Sequence, residues 1–217
     1  MTQSLILKGE EIHLLPEKVV WWPTTSSMLL ADLHFGKAGH FRKSGIPVPR
    51  QLEQEDLATL SDLNGMFKPA DIYILGDMVH SELNSDWLWL RLWRQLISRP
   101  RIHLILGNHD IVPQKYFAEL DIEVVSKALK LGPFLLRHFP LAVDELPREN
   151  EYLLSGHIHP GVELRGKAKQ SMVLPCFYFG EFQGILPAFG RFTGTSRISI
   201  IESDRIFAVS GGKVICV

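Results

Sequence analysis

Residues 72–110 read IYILGDMVHSELNSDWLWLRLWRQLISRPRIHLILGNHD. The stretch opens and closes on short apolar runs, Ile72 to Leu75 and Ile102 to Leu106. Each run stops at a glycine followed by a polar residue, Gly76-Asp77 and Gly107-Asn108. Between them, Leu83 to Ile97 carries leucines and tryptophans at helical spacing, which predicts an amphipathic helix. Strand, helix, strand is the pattern of a crossover. Runs without polar alternation predict a sheet buried on both faces.

Working outward, Ile12 to Leu15, Val19 to Trp22 and Met28 to Ala31 read as strands. Gln51 to Phe67 reads as a helix, because Leu52, Leu57, Leu60, Leu63 and Phe67 share one face and Pro69 lies just beyond. After about residue 120 short strands dominate: Glu123 to Val125, Phe134 to Arg137, Tyr152 to Leu154, Arg197 to Ile201, Ile206 to Val209 and Val214 to Val217. The expectation is a mixed α/β fold with a more parallel first half and an antiparallel second half, built as two packed sheets with helices outside. A length of 217 residues without repeats or linkers predicts one domain over 1–217.

Composition narrows the function classes. Hydrophobic residues make up 46%, which excludes disorder. The formal net charge is -1, so no global basic field advertises a nucleic-acid partner and any such contact must be local. Cys176 and Cys216 have no ligand spacing and read as packing residues in a reducing compartment. The N-terminal stretch lacks the shape of a signal peptide and no apolar run approaches the ~20 residues of a membrane span. The expectation is a cytoplasmic protein without a membrane.

Three apolar runs end in residues that bind metals. Leu29 to Ala31 leads into Asp32-Leu33-His34, Ile72 to Leu75 into Gly76-Asp77, and Ile102 to Leu106 into Gly107-Asn108-His109-Asp110. Ligands of α/β sheets collect at the carboxyl ends of strands. A D-x-H pair on a strand end would face one way through the strand alternation. The glycines before Asp77 and Asn108 would let the backbone turn and approach the centre. Later in the chain come His138, after an apolar run, and Gly156-His157-Ile158-His159. A mixed set of carboxylate, amide and imidazole suits Mn, Fe or Zn better than Ca or Mg. A lone D-x-H or G-H-x-H is weak evidence; the pieces in series are strong.

The order D-x-H, G-D, G-N-H-D, lone His, G-H-x-H resembles the calcineurin-like metallophosphoesterase superfamily over essentially the whole chain. The resemblance implies a four-layer α/β/β/α sandwich of the metallo-dependent phosphatase type. It implies two divalent metal ions, Mn²⁺ before Fe or Zn. Asp32, His34 and His159 would hold one ion, and Asn108, His138 and His157 the other. Asp77 would be shared by both, and His109 would be catalytic. It implies in-line hydrolysis of a phosphate ester by a water activated at the two ions, with His109 assisting the leaving group and Asp110 orienting it. The segments DLHFGKA at 32–38, FRKSGIPVP at 41–49 and GHIHPGVELRGKAKQSMVLPCFYFG at 156–180 are similar to the bacterial ligase-associated metallophosphoesterases. That similarity implies a DNA-repair setting beside a DNA ligase, a helicase and an exonuclease. His80, in Gly76-Asp77-Met78-Val79-His80, stands where protein phosphatases carry Asp-Arg, and resembles the His of the superfamily's repair nucleases. It reads equally as a catalytic group or as a buttress.

Two basic clusters flank these motifs: Lys37, Arg42 and Lys43, and Arg165, Lys167 and Lys169. On a strand the second trio would share one face and could hold a phosphate backbone, or be a solvated face. Arg137 is a further phosphate candidate. Trp87, Trp89 and Trp93 read as core and interface. Phe35, Phe41 and Phe139 lie near motif loops and are candidates for stacking on a base. His13, His40 and His103 match no motif and read as structural or surface residues. Three functions are open on these readings: a nucleic-acid phosphodiesterase or endonuclease, a small-molecule nucleotide or cyclic-nucleotide phosphoesterase, and a non-catalytic interaction module on the same fold.

Overall fold

The computed structural model describes residues 1–49, 51–80, 87–142, 145–148, 150–166 and 170–217. The first half builds a sheet of β1 (Gln3–Leu7), β2 (Glu10–Leu14), β3 (Val20–Trp22), β4 (Ser27–Leu30), β5 (Asp71–Ile74), β6 (Arg101–Ile105) and β7 (Ile122–Val125), side by side in chain order. β1 to β4 pair antiparallel. Their connections are too short for a crossover, and the Lys8-Gly9 turn, with φ of 52° and 85°, is the hairpin type that matches strand twist. β4 to β7 pair parallel. Their longer connections carry α1 (Lys37–Lys43), α2 (Gln51–Phe67), α3 (Trp87–Leu96) and α4 (Gln114–Glu119). α2 has its predicted bounds. The predicted start of the next helix, residues 83–86, lies outside the described residues.

Both faces are buried at β4, β5 and most of β6, which is why these strands read as continuous apolar runs, whereas β1 and β2 alternate buried and exposed residues. Met28, Leu30, Ile72, Ile74, Ile102 and Leu104 pack under Leu57, Leu60 and Leu63 of α2, Leu90 and Trp93 of α3, and Phe117 of α4. Their neighbours Leu29, Tyr73 and Ile105 point the other way, into a second core shared with Phe134, Leu136, Tyr152, Leu154, Phe177 and Phe179. The tryptophans divide accordingly. Trp93 is buried, Trp87 lies edge-on to Phe117, and Trp89 is exposed.

The second sheet contains β8 (Ala128–Leu131), β9 (Phe134–Arg137), β10 (Tyr152–Ser155), β11 (Pro160–Arg165), β12 (Ser171–Phe179), β13 (Gln183–Ile185), β14 (Ser196–Arg197), β15 (Arg205–Ser210) and β16 (Lys213–Cys216). Its order is β14-β11-β12-β13-β10-β9-β8, with β15 beside β12 and β16 beside β15. The expected antiparallel character is only part of it. β9–β10, β10–β13 and β11–β14 are parallel, because long connections after β9 and β10 return the chain to the same end before it re-enters the sheet. The predicted strand at Arg197 to Ile201 shrinks to Ser196–Arg197, and Ile200 and Ile201 are exposed. A smaller cluster of Val162, Cys176, Ile206 and Ala208 covers the outer face. Burial there pushes the Cys176 thiol up to about 12, in keeping with a packing residue.

One buried cation ties the helical layer together. Arg94 donates to the carbonyls of Leu120 (2.9 Å), Ile97 (2.8 Å) and Asp121 (3.3 Å) and to the Asp121 carboxylate (2.8 Å). It joins the ends of α3 and α4. Arg94→Leu leaves these acceptors unsatisfied. The expected loss is about 2–3 kcal/mol of stability, read as a lower urea midpoint with an unchanged slope.

Candidate metal centre

β4, β5 and β6 end level, since Leu30 pairs with Ile74 and Ile74 with Leu104. The residues just beyond each strand therefore gather at one edge: Asp32 and His34, then Asp77 and His80, then Asn108, His109 and Asp110. The second sheet meets this edge with His138 after β9 and with His157 and His159 after β10. Backbone bonds lock the first two loops together. Asp32 N donates to Gly76 O at 3.1 Å and His34 N to Asp77 O at 2.8 Å.

The way these side chains are aimed corrects the strand-alternation argument. Asp32, His34, Asp77, His157 and His159 have φ of 55°, 49°, 50°, 69° and 52°. They sit in the left-handed region, which costs a residue with a Cβ roughly 1–2 kcal/mol. Tight left-handed turns, not a pleat, bring each pair inward.

The motif glycines make room for one another's partners. A Cβ on Gly76, whose φ is +82°, would lie 2.2 Å from His138 Nδ1; one on Gly107 would lie 2.2 Å from Asp77 Oδ1; one on Gly156 would lie 2.5 Å from Asp32 Oδ2. Gly107→Ala must therefore displace the Asp77 carboxylate. The expected result is metal affinity lower by about 10–100-fold, comparable to losing a partner that orients a ligand, measured by competition with a chelating dye.

Two groups of donor atoms converge. Asp32, His34 and His159 form one, and Asp77, His138 and His157 the other, each with its atoms within 4.8 Å of one another. In the first, His34 Nε2 lies 3.4 Å from His159 Nε2, and His159 Nε2 lies 3.4 Å from Asp32 Oδ1. In the second, His138 Nε2 lies 3.2 Å from His157 Nδ1 and 3.1 Å from Asn108 Oδ1. Asp77 Oδ2 stands between them, 3.7 Å from His34 Nε2 and 3.5 Å from His138 Nε2. Its Oδ1 accepts the backbone N–H of His109 at 2.8 Å.

The proton inventory fits a cation. His138 Nδ1 faces the Leu75 carbonyl at 2.9 Å and must donate to it. In the neutral ring its Nε2 then carries a lone pair, aimed at the Asp77 and Asn108 oxygens. Lone pairs facing oxygens are satisfied by a metal ion. Burial, then neighbouring His159, Lys37, His80 and His109, push His34 down to about 2, so its ring is a neutral donor. Burial and the neighbouring His138 also lower His157. His157 N donates to both oxygens of Asp32, at 3.2 and 2.9 Å, which fixes that carboxylate. Asp110, pushed up to about 6 chiefly by burial, accepts from Val79 N (3.0 Å) and Gly107 N (2.9 Å) and holds the turn before His109.

The sequence profile described as calcineurin-like phosphoesterase matches residues 27–213, a span that contains every residue of this site. The chain belongs to the calcineurin-like phosphoesterase family. It is an enzyme that hydrolyses phosphate esters, with the α/β sandwich of that family. The crystal structure of the Pseudomonas putida nuclease MPE is similar over 100% of both chains, with 31% identity and a TM-score of 0.84. The Escherichia coli phosphoesterase Yfce is a distant likeness, at 13% identity and a TM-score of 0.47 over 87% of this chain and 96% of that one. No curated protein matches the sequence.

Around this phosphoesterase centre the remaining candidates fall unevenly. His80 Nδ1 lies 3.3 Å from His34 Nδ1, and its ring stacks on His109 at 4.7 Å and 24°. Burial, then His109 and Lys37, lower His80 to about 4. Lys37 is close enough to lower both His34 and His80 and is itself lowered by burial. Three other candidate cations face carboxylates. Arg42 faces Glu53 at 3.6 Å, Arg165 pairs with Glu163 at 2.9 Å, and Arg137 pairs with Glu145 at 2.6 Å. Lys167 and Lys169 lie outside the described residues. The structure also brings in His40, whose ring is 5.9 Å from that of His80. Its one sequence signal is its place one turn after Lys37, in a segment with no apolar period.

No helix among the described residues is long and apolar enough to cross a membrane.

Proposed function

We propose that this enzyme is a binuclear phosphodiesterase of the nuclease type, with Mn²⁺ as the favoured ion. The observation that carries the binuclear reading is Asp77 Oδ2, which faces the histidines of both donor groups at 3.7 and 3.5 Å. Asp32, His34 and His159 would hold one ion; Asn108, His138 and His157 would hold the other, with Asp77 common to both. Divalent ions bound there supply Lewis-acid activation of water and of phosphoryl oxygens.

The chain's own residues then have definite tasks. His34, with Nε2 used as a ligand, carries its proton on Nδ1 and donates it to His80 Nδ1. That leaves the His80 proton on Nε2, so a neutral His80 can donate to a phosphate oxygen. His109, stacked on His80, is the proton donor for the leaving oxygen, and Asp110 holds its turn. Lys37 adds positive charge at the same edge.

Nucleic acid is the preferred substrate because a relative that shares the whole length of both chains is a nuclease. With the DLHFGKA and GHIHPG segments, this supports a ligase-associated DNA-repair role in the cytoplasm, beside a ligase, a helicase and an exonuclease. A core that draws on Leu5 through Val214 supports one domain over 1–217. The scarcity of uncommitted cations at the edge among the described residues favours the second reading, a nucleotide or cyclic-nucleotide phosphoesterase. The deciding experiment compares a phosphodiester with its matched monoester in Mn²⁺, at rising salt. Diester preference with cleavage of DNA that weakens steeply with salt supports the nuclease. Monoester preference with little salt dependence overturns it.

A further inference from the structure

We infer that Phe139 is a stacking subsite for the nucleobase next to the scissile phosphate. The inference rests on the nucleic-acid reading above. Phe139 directly follows His138 and is 45% exposed. Its ring centroid lies 4.8 Å from those of both His138 and His157, at 73° and 61°. An apolar ring thus stands at the very edge of the donor group that would engage the phosphate.

The backbone that carries the ring is held by side-chain hydrogen bonds. Arg137 donates Nε–H to Phe139 O and Nη2–H to Pro140 O, both at 2.6 Å, while Glu145 accepts from Nη1 and Nη2 at 2.6 and 3.0 Å. Downstream, Leu141 N donates to Gln183 Oε1 at 2.8 Å. Pro140 restricts the backbone of Phe139 further. Arg137 is therefore a positioning residue for this loop. Single exposed apolar side chains are ordinary on a protein surface. This one is distinguished by the hydrogen bonds that hold its backbone and by its place 4.8 Å from the rings of His138 and His157, which belong to the donor group that would engage the phosphate. A pre-organised aromatic plane loses little entropy on binding, and stacking accepts any base.

The test uses two single-stranded 12-mers with identical phosphates, oligo-dT and an abasic oligomer. KM and kcat are measured in Mn²⁺, and binding by fluorescence anisotropy in Mn²⁺ on the His109→Ala background, which is expected to keep metal and cleave slowly. Phe139→Leu keeps an apolar group against the histidines but has no aromatic face. It is expected to weaken oligo-dT about tenfold in both KM and binding. Its kcat and its handling of the abasic oligomer should stay within twofold, with manganese content unchanged. Phe139→Trp is expected to restore oligo-dT. Equal losses on both oligomers, or a fall in manganese content, would mean that the ring only packs the histidines and would overturn the subsite. No loss on oligo-dT would overturn it as well. A wild-type enzyme that hydrolyses a simple diester but neither oligomer overturns the nucleic-acid reading and the subsite together. Cleavage of both oligomers without a base-dependent loss in Phe139→Leu overturns the subsite alone.

Discussion

Asp77→Asn is expected to abolish activity and metal binding together. The substitution keeps the shape of the side chain, and its oxygen can still accept the His109 N–H now 2.8 Å from Oδ1. What it removes is the negative charge at Oδ2, the atom that faces His34 at 3.7 Å and His138 at 3.5 Å. Without that charge the two groups are imidazoles and an amide, with Asp32 the remaining carboxylate. Loss of a group that merely orients a ligand costs about 10–100-fold. A shared ligand should exceed the upper figure. Elemental analysis of the purified variant, together with diester hydrolysis, checks this. Full metal occupancy with an unchanged rate would remove Asp77 from the shared position.

His109→Ala should behave differently, with activity falling about 10²–10⁴-fold, as for a lost proton donor, while metal content stays at the wild-type level. The backbone N–H that steadies Asp77 survives the substitution, so the effect isolates the ring. The structure makes the comparison pointed, because His34, His80 and His109 also place donor atoms within 4.8 Å of one another. Metal lost along with activity would make His109 a ligand. Retained metal with a changed pH–rate profile would support the proton-donor role.

Much of this arrangement was legible in the chain. The apolar runs of β4, β5 and β6 and the spacing of α2 are direct outputs of burial on two faces and of the helical period. The order of motifs at the strand ends named the residues that the fold gathers. Other features depend on neighbours that sequence cannot supply. That a methyl group on Gly107 would strike Asp77, or one on Gly156 would strike Asp32, emerges only once separate loops share a space. A basic residue does not announce its partner, so Arg137 read as a phosphate ligand, although Glu145 and two carbonyls occupy it. His40 sits in KAGHFRK, where no apolar repeat betrays a helix. The parallel pairs of the second sheet depend on how long connections return, which local pattern leaves open.

The left-handed backbone at Asp32, His34, Asp77, His157 and His159 has a consequence for the history of such a chain. Each position is disfavoured by its torsion angle and by the crowding of acceptors and rings at one edge. Glycine or asparagine would relax the torsion at every one of them. A descendant released from selection for hydrolysis would therefore feel a torsional pull toward those residues at these five sites, opposed at Asp32 and Asp77 by the backbone N–H groups that their carboxylates accept. The metal edge is the part of this protein that selection has to keep defending against the protein's own stability.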